Sequence, residues 1–181
     1  MRKLAVLLAL TASCSGGPQV TEGARKAFED WAKAAASGDA EKTLAGFSDA
    51  KKSDWLYDRL TENDPLAKLW RGDLTGEART QLDLWWGNSL KHGNGRDEPL
   101  RDIVLTHPSF VQLFRQYFIR EAKSIQTGLA RAEVTTTYGD STGVTVLVKS
   151  GPGAPVEYYG MIFEGNGWKI DAYKPPQQGG K

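Results

Sequence analysis

The chain has 181 residues, 40% of them apolar and 25% charged, with six Trp and one Cys. That length suits one domain with a hydrophobic core of its own. Its 23 basic and 22 acidic side chains give a net charge of +1, so no global field draws it to nucleic acid, and one Cys excludes an intrachain disulfide.

Arg2 and Lys3 make a basic start, and Leu4 to Ala12 is a short apolar stretch. A helix needs about 20 apolar residues to span a bilayer core, so residues 1–13 read as a signal peptide and not as a membrane span. Removing them takes away Arg2 and Lys3 and no acid, which turns the net charge from +1 to −1. Small residues then lead into the lone Cys14. The segment Leu10-Thr11-Ala12-Ser13-Cys14 resembles the lipobox of bacterial lipoproteins. The resemblance implies cleavage before Cys14, acylation of its sulfur and new amino group, and anchoring to the bacterial cell envelope. Several acyl chains on one residue hold a protein to a membrane stably. Ser15 stands where an Asp would retain a lipoprotein at the inner membrane, which implies the outer membrane, on its periplasmic face or at the cell surface. The alternative is ordinary cleavage near the same point, leaving a secreted protein with a free thiol.

Ser15 to Val20 is small, polar and Gly/Pro-containing, so residues 14–20 read as the lipidated Cys and a flexible tether. A single domain is expected over residues 21–173, followed by a disordered tail over 174–181. Thr21 can cap a helix with Ala24, Ala27, Phe28, Trp31 and Ala35 on one face, ended by Gly38. Asp39 can cap a second, short helix carrying Leu44 and Phe47. Ser53 to Leu60 is a further helical piece, and Asp64-Pro65 pairs a cap with Pro at the first helical position. Thr75 precedes a stretch with Ala78, Leu82, Trp85 and Trp86 along one side. His92 to Glu98 reads as a loop. A longer helix is expected from Pro108 or Ser109 to about Ser124, burying Phe110, Phe114, Tyr117, Phe118 and Ala122.

The period then changes. Arg131 to Tyr138 is rich in Thr and Val, and a turn at Gly139 to Gly143 leads into Val144 to Val148. After Gly151-Pro-Gly-Ala-Pro155, Val156 to Glu164 is a third strand, and Gly165-Asn-Gly167 turns into Trp168 to Tyr173. Four strands joined by short turns form an antiparallel meander. Helices first and hairpins after define an α+β fold, with the helices packed on one face of the sheet.

The first helix closes with Ala34-Ala-Ala-Ser-Gly-Asp39, and the last hairpin reads Gly165-Asn-Gly-Trp-Lys-Ile-Asp171. Together they resemble the NTF2-like (cystatin-related) α+β cone. Lys51 to Asp102 is longer and more helical than that family's usual middle. The resemblance implies a curved sheet enclosing a pocket, which some members use as an isomerase or cyclase site and others only for binding or dimerisation. Membership alone therefore does not imply an enzyme.

Chemistry-bearing motifs are sparse. His92 and His107 form no HxH or HExxH pattern and Cys14 is committed to lipid, so neither a metal site nor a cofactor is implied. His107, just before Pro108, suits a local capping contact. Gly93-Asn-Gly95 precedes acids and is a turn, not a phosphate cradle. Glu29-Asp30 and Asp97-Glu98 are sequence neighbours that diverge on a helix or loop, so both read as solvated surface. Asp171 alternates with Ile170. If Ile170 faces the helices, Asp171 faces solvent. With the opposite parity it enters the cone, where a desolvated carboxyl could act as a base. Trp85 and Trp86 lie about 100° apart around one helix, so both are buried only if that helix is sandwiched.

These features lead to an envelope-anchored, non-enzymatic binding or accessory module. Phe28, Trp31, Tyr117, Tyr159 and Trp168 are the candidates for the walls of a pocket. The membrane is one partner through the lipid, and a small apolar ligand or an envelope protein is the other. The alternatives are a small-molecule isomerase or hydrolase working in the cone, and a glycan-contacting lipoprotein. Replacing Cys14 by Ala is expected to abolish incorporation of labelled fatty acid and to release the protein from the membrane fraction. Unchanged membrane association would refute lipidation at this residue.

Overall fold

The computed structural model describes residues 18–93 and 98–174. The leader, Cys14 and the tail from Pro175 lie outside them. The first helix, α1 (Pro18–Ser37), starts earlier than the expected Thr21 cap. Pro18 supplies a φ already suited to a first helical turn, and Val20 packs against the apolar cluster beneath the sheet. The end of the expected tether is thus helix. One stripe of α1 buries Ala24, Phe28, Trp31 and Ala35. Gly38 ends it at a φ of 82°, a left-handed value that glycine adopts without steric cost.

Side-chain caps organise the next helices; Asp39 and Asp64 are the two expected from the sequence, and Ser48 is a further one. Asp39 accepts from the Lys42 backbone N–H at 3.0 Å and opens α2 (Ala40–Ala45). Ser48 accepts from the Lys51 N–H at 3.0 Å and opens α3 (Asp49–Thr61), longer than the expected piece. Asp64 accepts from Leu66 N–H at 2.8 Å, with Pro65 leading α4 (Pro65–Asp73). In α5 (Gly76–His92), Trp85 is buried. Trp86 is half-buried, its ring 5.6 Å from that of Tyr57 and 5.8 Å from the Arg71 guanidinium. His92 is the exposed last residue of this helix, not a loop residue. Of the expected loop, residues 94–97 lie outside the described ones.

A single turn, α6 (Asp102–Leu105), buries Val104 and Leu105, and nothing in the apolar periodicity announced it. The long helix α7 (Pro108–Leu129) extends past Ser124. Its buried side is Phe110, Leu113, Phe114, Tyr117 and Phe118, and Ala122 lies outside the described side chains. Among the described residues no helix is long and apolar enough to cross a membrane.

Four strands follow, β1 (Glu133–Gly139), β2 (Val144–Lys149), β3 (Glu157–Glu164) and β4 (Gly167–Lys174), paired antiparallel in chain order. The fold is α+β, helices first and the meander packed against them. Two apolar clusters fill it. In one, Val144, Val146, Val148, Met161 and Ile170 of the sheet meet Ala24, Phe28, Trp31 and Ala32 of α1. The other surrounds α7 and takes in residues of α3, α4, α5 and α6. Phe47 and Leu129 touch both.

The layers are joined at Gly46–Ser48. Ile170 N–H donates to the Gly46 carbonyl at 2.8 Å, and Ser48 N–H donates to the Ile170 carbonyl at 2.9 Å. Phe47 thereby forms a parallel bridge with Ile170 at the free edge of β4. Ser48 Oγ, which accepts the α3 cap bond, donates in turn to Asp171 Oδ1 at 2.8 Å. Ser48 is fully buried, so removing its hydroxyl strips a helix cap and leaves Asp171 without one of its donors. Ser48→Ala is expected to cost about 1–3 kcal/mol in chemical denaturation. A change below about 0.5 kcal/mol, the usual effect of an uninvolved surface substitution, would contradict this role.

Candidate functional site

The alternation of β3 places Glu157, Tyr159 and Met161 on one face, and that face turns toward the helices, where Tyr159 and Met161 are buried. The pairing with β4 is irregular. Gly160 pairs with Ala172 but Met161 pairs with Ile170, so Asp171 is the extra residue of a bulge. A bulge resets strand parity. Ile170 and Tyr173 therefore share the inner face although an odd number of positions separates them. Tyr173 lies opposite Tyr159, with their ring centroids 5.0 Å apart.

Between this end of the sheet and the helices is a cavity of about 460 Å³. Trp31 of α1, Phe47, Trp55 of α3, and Phe114, Tyr117 and Phe118 of α7 form its helical side. Val148, Tyr159, Ile170 and Tyr173 form its sheet side, and Leu129, the last residue of α7, also lines it. The rings brace one another. Trp31 lies 5.9 Å from Tyr159 and 5.7 Å from Phe47, and Trp55 stands edge-on to Tyr117 and to Phe114 at 5.3 Å. Such tilted and edge-to-face pairs favour fixed ring positions.

Few polar groups reach the cavity. Trp31 Nε1 is committed to the Thr43 carbonyl at 3.1 Å. Glu121 faces the Arg59 guanidinium at 3.8 Å, and Lys51 lies on the α3 side. At the sheet end the Glu157 carboxylate accepts three hydroxyls, from Tyr159 at 3.1 Å, from Tyr173 at 3.3 Å and from Ser150 at 3.3 Å. Burial first, and the Glu157 carboxylate second, push the Tyr159 phenol far above the usual range, and the same causes raise Tyr173. Burial also pushes the Tyr117 phenol up to about 12, with the Asp64 carboxylate adding to it.

Of the residues expected at a pocket, Trp31, Tyr117 and Tyr159 line this cavity together. Phe28 lies behind it as core, its ring 4.8 Å from Tyr159. Trp168 stands elsewhere on the sheet, half-buried over Gly23 of α1, where a Cβ would come within 3.3 Å of its Nε1. Sequence reasoning missed Glu157, Ser150 and Tyr173. Strand alternation alone put Glu157 on the face of Tyr159, but nothing local announced the bulge that turns Tyr173 inward. Ile170 does face the helices, and Asp171 is half-buried against Ser48 and takes no part in the cavity wall. Cys14 lies outside the described residues.

His107 is the local cap its position suggested. Its Nδ1 accepts from Ser109 N–H at 3.3 Å and sits 2.6 Å from Ser109 Oγ, which also accepts from Trp70 Nε1 at 3.0 Å. A smaller cleft of about 240 Å³ lies beside it. Among the described residues no cluster of His, Cys, Asp and Glu could hold a metal ion.

Fold and site together define an α+β protein with an aromatic cavity between its layers and one carboxylate at its sheet end. No protein-family model, curated protein or solved structure matches this chain.

The raised phenol gives a test of the geometry. A tyrosine whose folded pKa lies above its unfolded value, near 10, adds stability that is complete below that pH and is lost as pH rises toward the folded value. Subtracting the 295 nm titration of Tyr159→Phe from that of the parent is expected to give a flat line up to pH about 11. Stability is also expected to fall less steeply above pH about 10 in the variant. A full tyrosine amplitude centred near pH 10 would place Tyr159 in water.

Proposed function

We propose that this chain is a lipid-anchored protein of the bacterial envelope whose inter-layer cavity binds a small, largely apolar molecule. The observation that carries the reading is the cavity itself. About 460 Å³ of space lies among aromatic walls, within the size range of small-ligand sites, which pair apolar linings with a few placed polar groups. The address rests on the basic start, the short apolar stretch and the lipobox-like approach to Cys14. The Gly38-Asp39 helix stop and the closing Gly165-to-Asp171 hairpin support an NTF2-like reading, in which first helix and inner sheet face bound such a pocket. In this role the anchor keeps the cavity at the envelope, where it captures or carries its ligand. A catalytic use, as an isomerase or hydrolase, draws on one observation: a protonated Tyr159 beside the Glu157 carboxylate forms an acid next to a base.

The test uses N-phenyl-1-naphthylamine, an uncharged apolar fluorophore that brightens out of water. Saturable binding at one site per chain is expected. Leu129→Trp, which adds an indole to the cavity lining, is expected to lower that affinity about tenfold or more, with the helical circular dichroism preserved. Absence of saturable binding by the parent protein, or equal binding by the variant, would contradict the reading. Turnover of a bound molecule that disappears in Tyr159→Phe would select the catalytic alternative.

A further inference from the structure

We infer that the ligand of this cavity is an organic amine: an apolar body carrying one cationic nitrogen, which docks at Glu157. The inference rests on the binding reading and specifies its ligand class. The argument begins with which atoms can donate. A carboxylate only accepts hydrogen bonds, and a hydroxyl has a single proton to give. The hydroxyls of Ser150, Tyr159 and Tyr173 all contact Glu157, so each is obliged to be the donor. Their protons are spent on the carboxylate. What the four groups offer a ligand is lone pairs only, on two carboxylate and three hydroxyl oxygens.

Such a cluster rejects a carboxylate, a phosphate or any other pure acceptor and selects a group rich in N–H. Charge points the same way. The partners of Glu157 among the described residues are all neutral hydroxyls, whereas Glu121, the other cavity acid, faces Arg59. Among the described residues no cation is paired with Glu157, so what a guest can add at the sheet end is one positive charge. Two carboxylate oxygens have room for about four hydrogen bonds, and three are in place, which leaves a position for one N–H of an ammonium group. The walls suit the same guest, since the faces of Trp and Tyr attract a cation held within about 6 Å of the ring centroid. Lys51, at the helical side, opposes a second positive charge, so the expected guest is a monocation with its apolar part toward Trp55 and Phe114.

Three matched probes of one skeleton test this: 4-phenylbutylamine, 4-phenylbutanol and 4-phenylbutyrate, titrated calorimetrically into the purified protein at neutral pH. The amine is expected to bind about tenfold or more tightly than the alcohol, the difference that a charge-assisted hydrogen bond makes, and the carboxylate to bind weakest. Glu157→Gln is expected to remove the advantage of the amine, so that amine and alcohol bind that variant with affinities within about threefold of each other. The comparison among probes on the parent protein stands even if the variant fails to fold. Equal affinity for amine and alcohol, or preference for the carboxylate, would overturn the inference and leave the apolar cavity in place. If neither these probes nor the neutral fluorophore bind, the binding reading itself is overturned, and this inference with it.

Discussion

The structure depends on the short parallel stitch between Gly46–Ser48 and Ile170. Two backbone hydrogen bonds, at 2.8 and 2.9 Å, fasten the turn between the second and third helices to the free edge of the last strand. The edge would otherwise present unpaired backbone groups to solvent or to another chain. The stitch also fixes Gly46 against Trp31, where a Cβ would come within 2.3 Å of the indole, and this explains why glycine stands there. Ser48 caps the third helix and holds Asp171, while Glu164 accepts from the Asp49 N–H at 3.0 Å. The start of that helix is thus pinned to the sheet from several sides.

The cavity follows from this constraint. The first helix fills one end of the inner sheet face, where Val144, Val146 and Met161 are buried against it. The third helix, held at the stitch, carries Trp55 against the long helix, where Tyr117 and Phe114 meet it edge-on. Collapse onto Tyr159 and Tyr173 would require breaking the stitch or moving the packed rings. A gap between well-packed layers forgoes dispersion contacts that a close-packed interior would make. The polar cluster at Glu157 has the same origin, because the Asp171 bulge brings the Tyr173 hydroxyl round to the carboxylate.

Much of the fold was legible because it is written in local chemistry. Asp39 and Asp64 as caps, Gly38 as a helix stop and the closing Gly165-Asn-Gly turn act within a few residues of themselves, and so do the apolar stripes of the first and long helices. What escaped was non-local or sub-threshold. The single turn from Asp102 to Leu105 is too short to show a period. Pro18 was read as tether because it lies within the small, polar, Gly/Pro-containing stretch from Ser15 to Val20, although Pro at a first helical position is itself a start signal. Phe47 was assigned to a helix face, whereas it lies just beyond that helix and bridges to Ile170 across the fold. For the site, Trp31, Tyr117 and Tyr159 followed from periodicity. Glu157 follows the same alternation as Tyr159, but an acid on a strand is usually solvated and so gives no signal of its own. Tyr173 could not have been found, since a bulge depends on the pairing of two strands and leaves no mark in either alone.

The most direct measurement of the central claim, that the stitch holds helical layer and sheet as one body with the cavity between them, is native-state hydrogen exchange at the amides of Ser48 and Ile170. Both donate across the junction, and neither belongs to a bond internal to one layer. If the layers form one cooperative unit, these amides exchange only through global opening, at the same free energy as the Val146 amide in the middle of the sheet. Exchange of Ser48 and Ile170 through a much cheaper local opening, with Val146 still protected, would show that the layers separate on their own. The cavity would then be no fixed feature of the native protein.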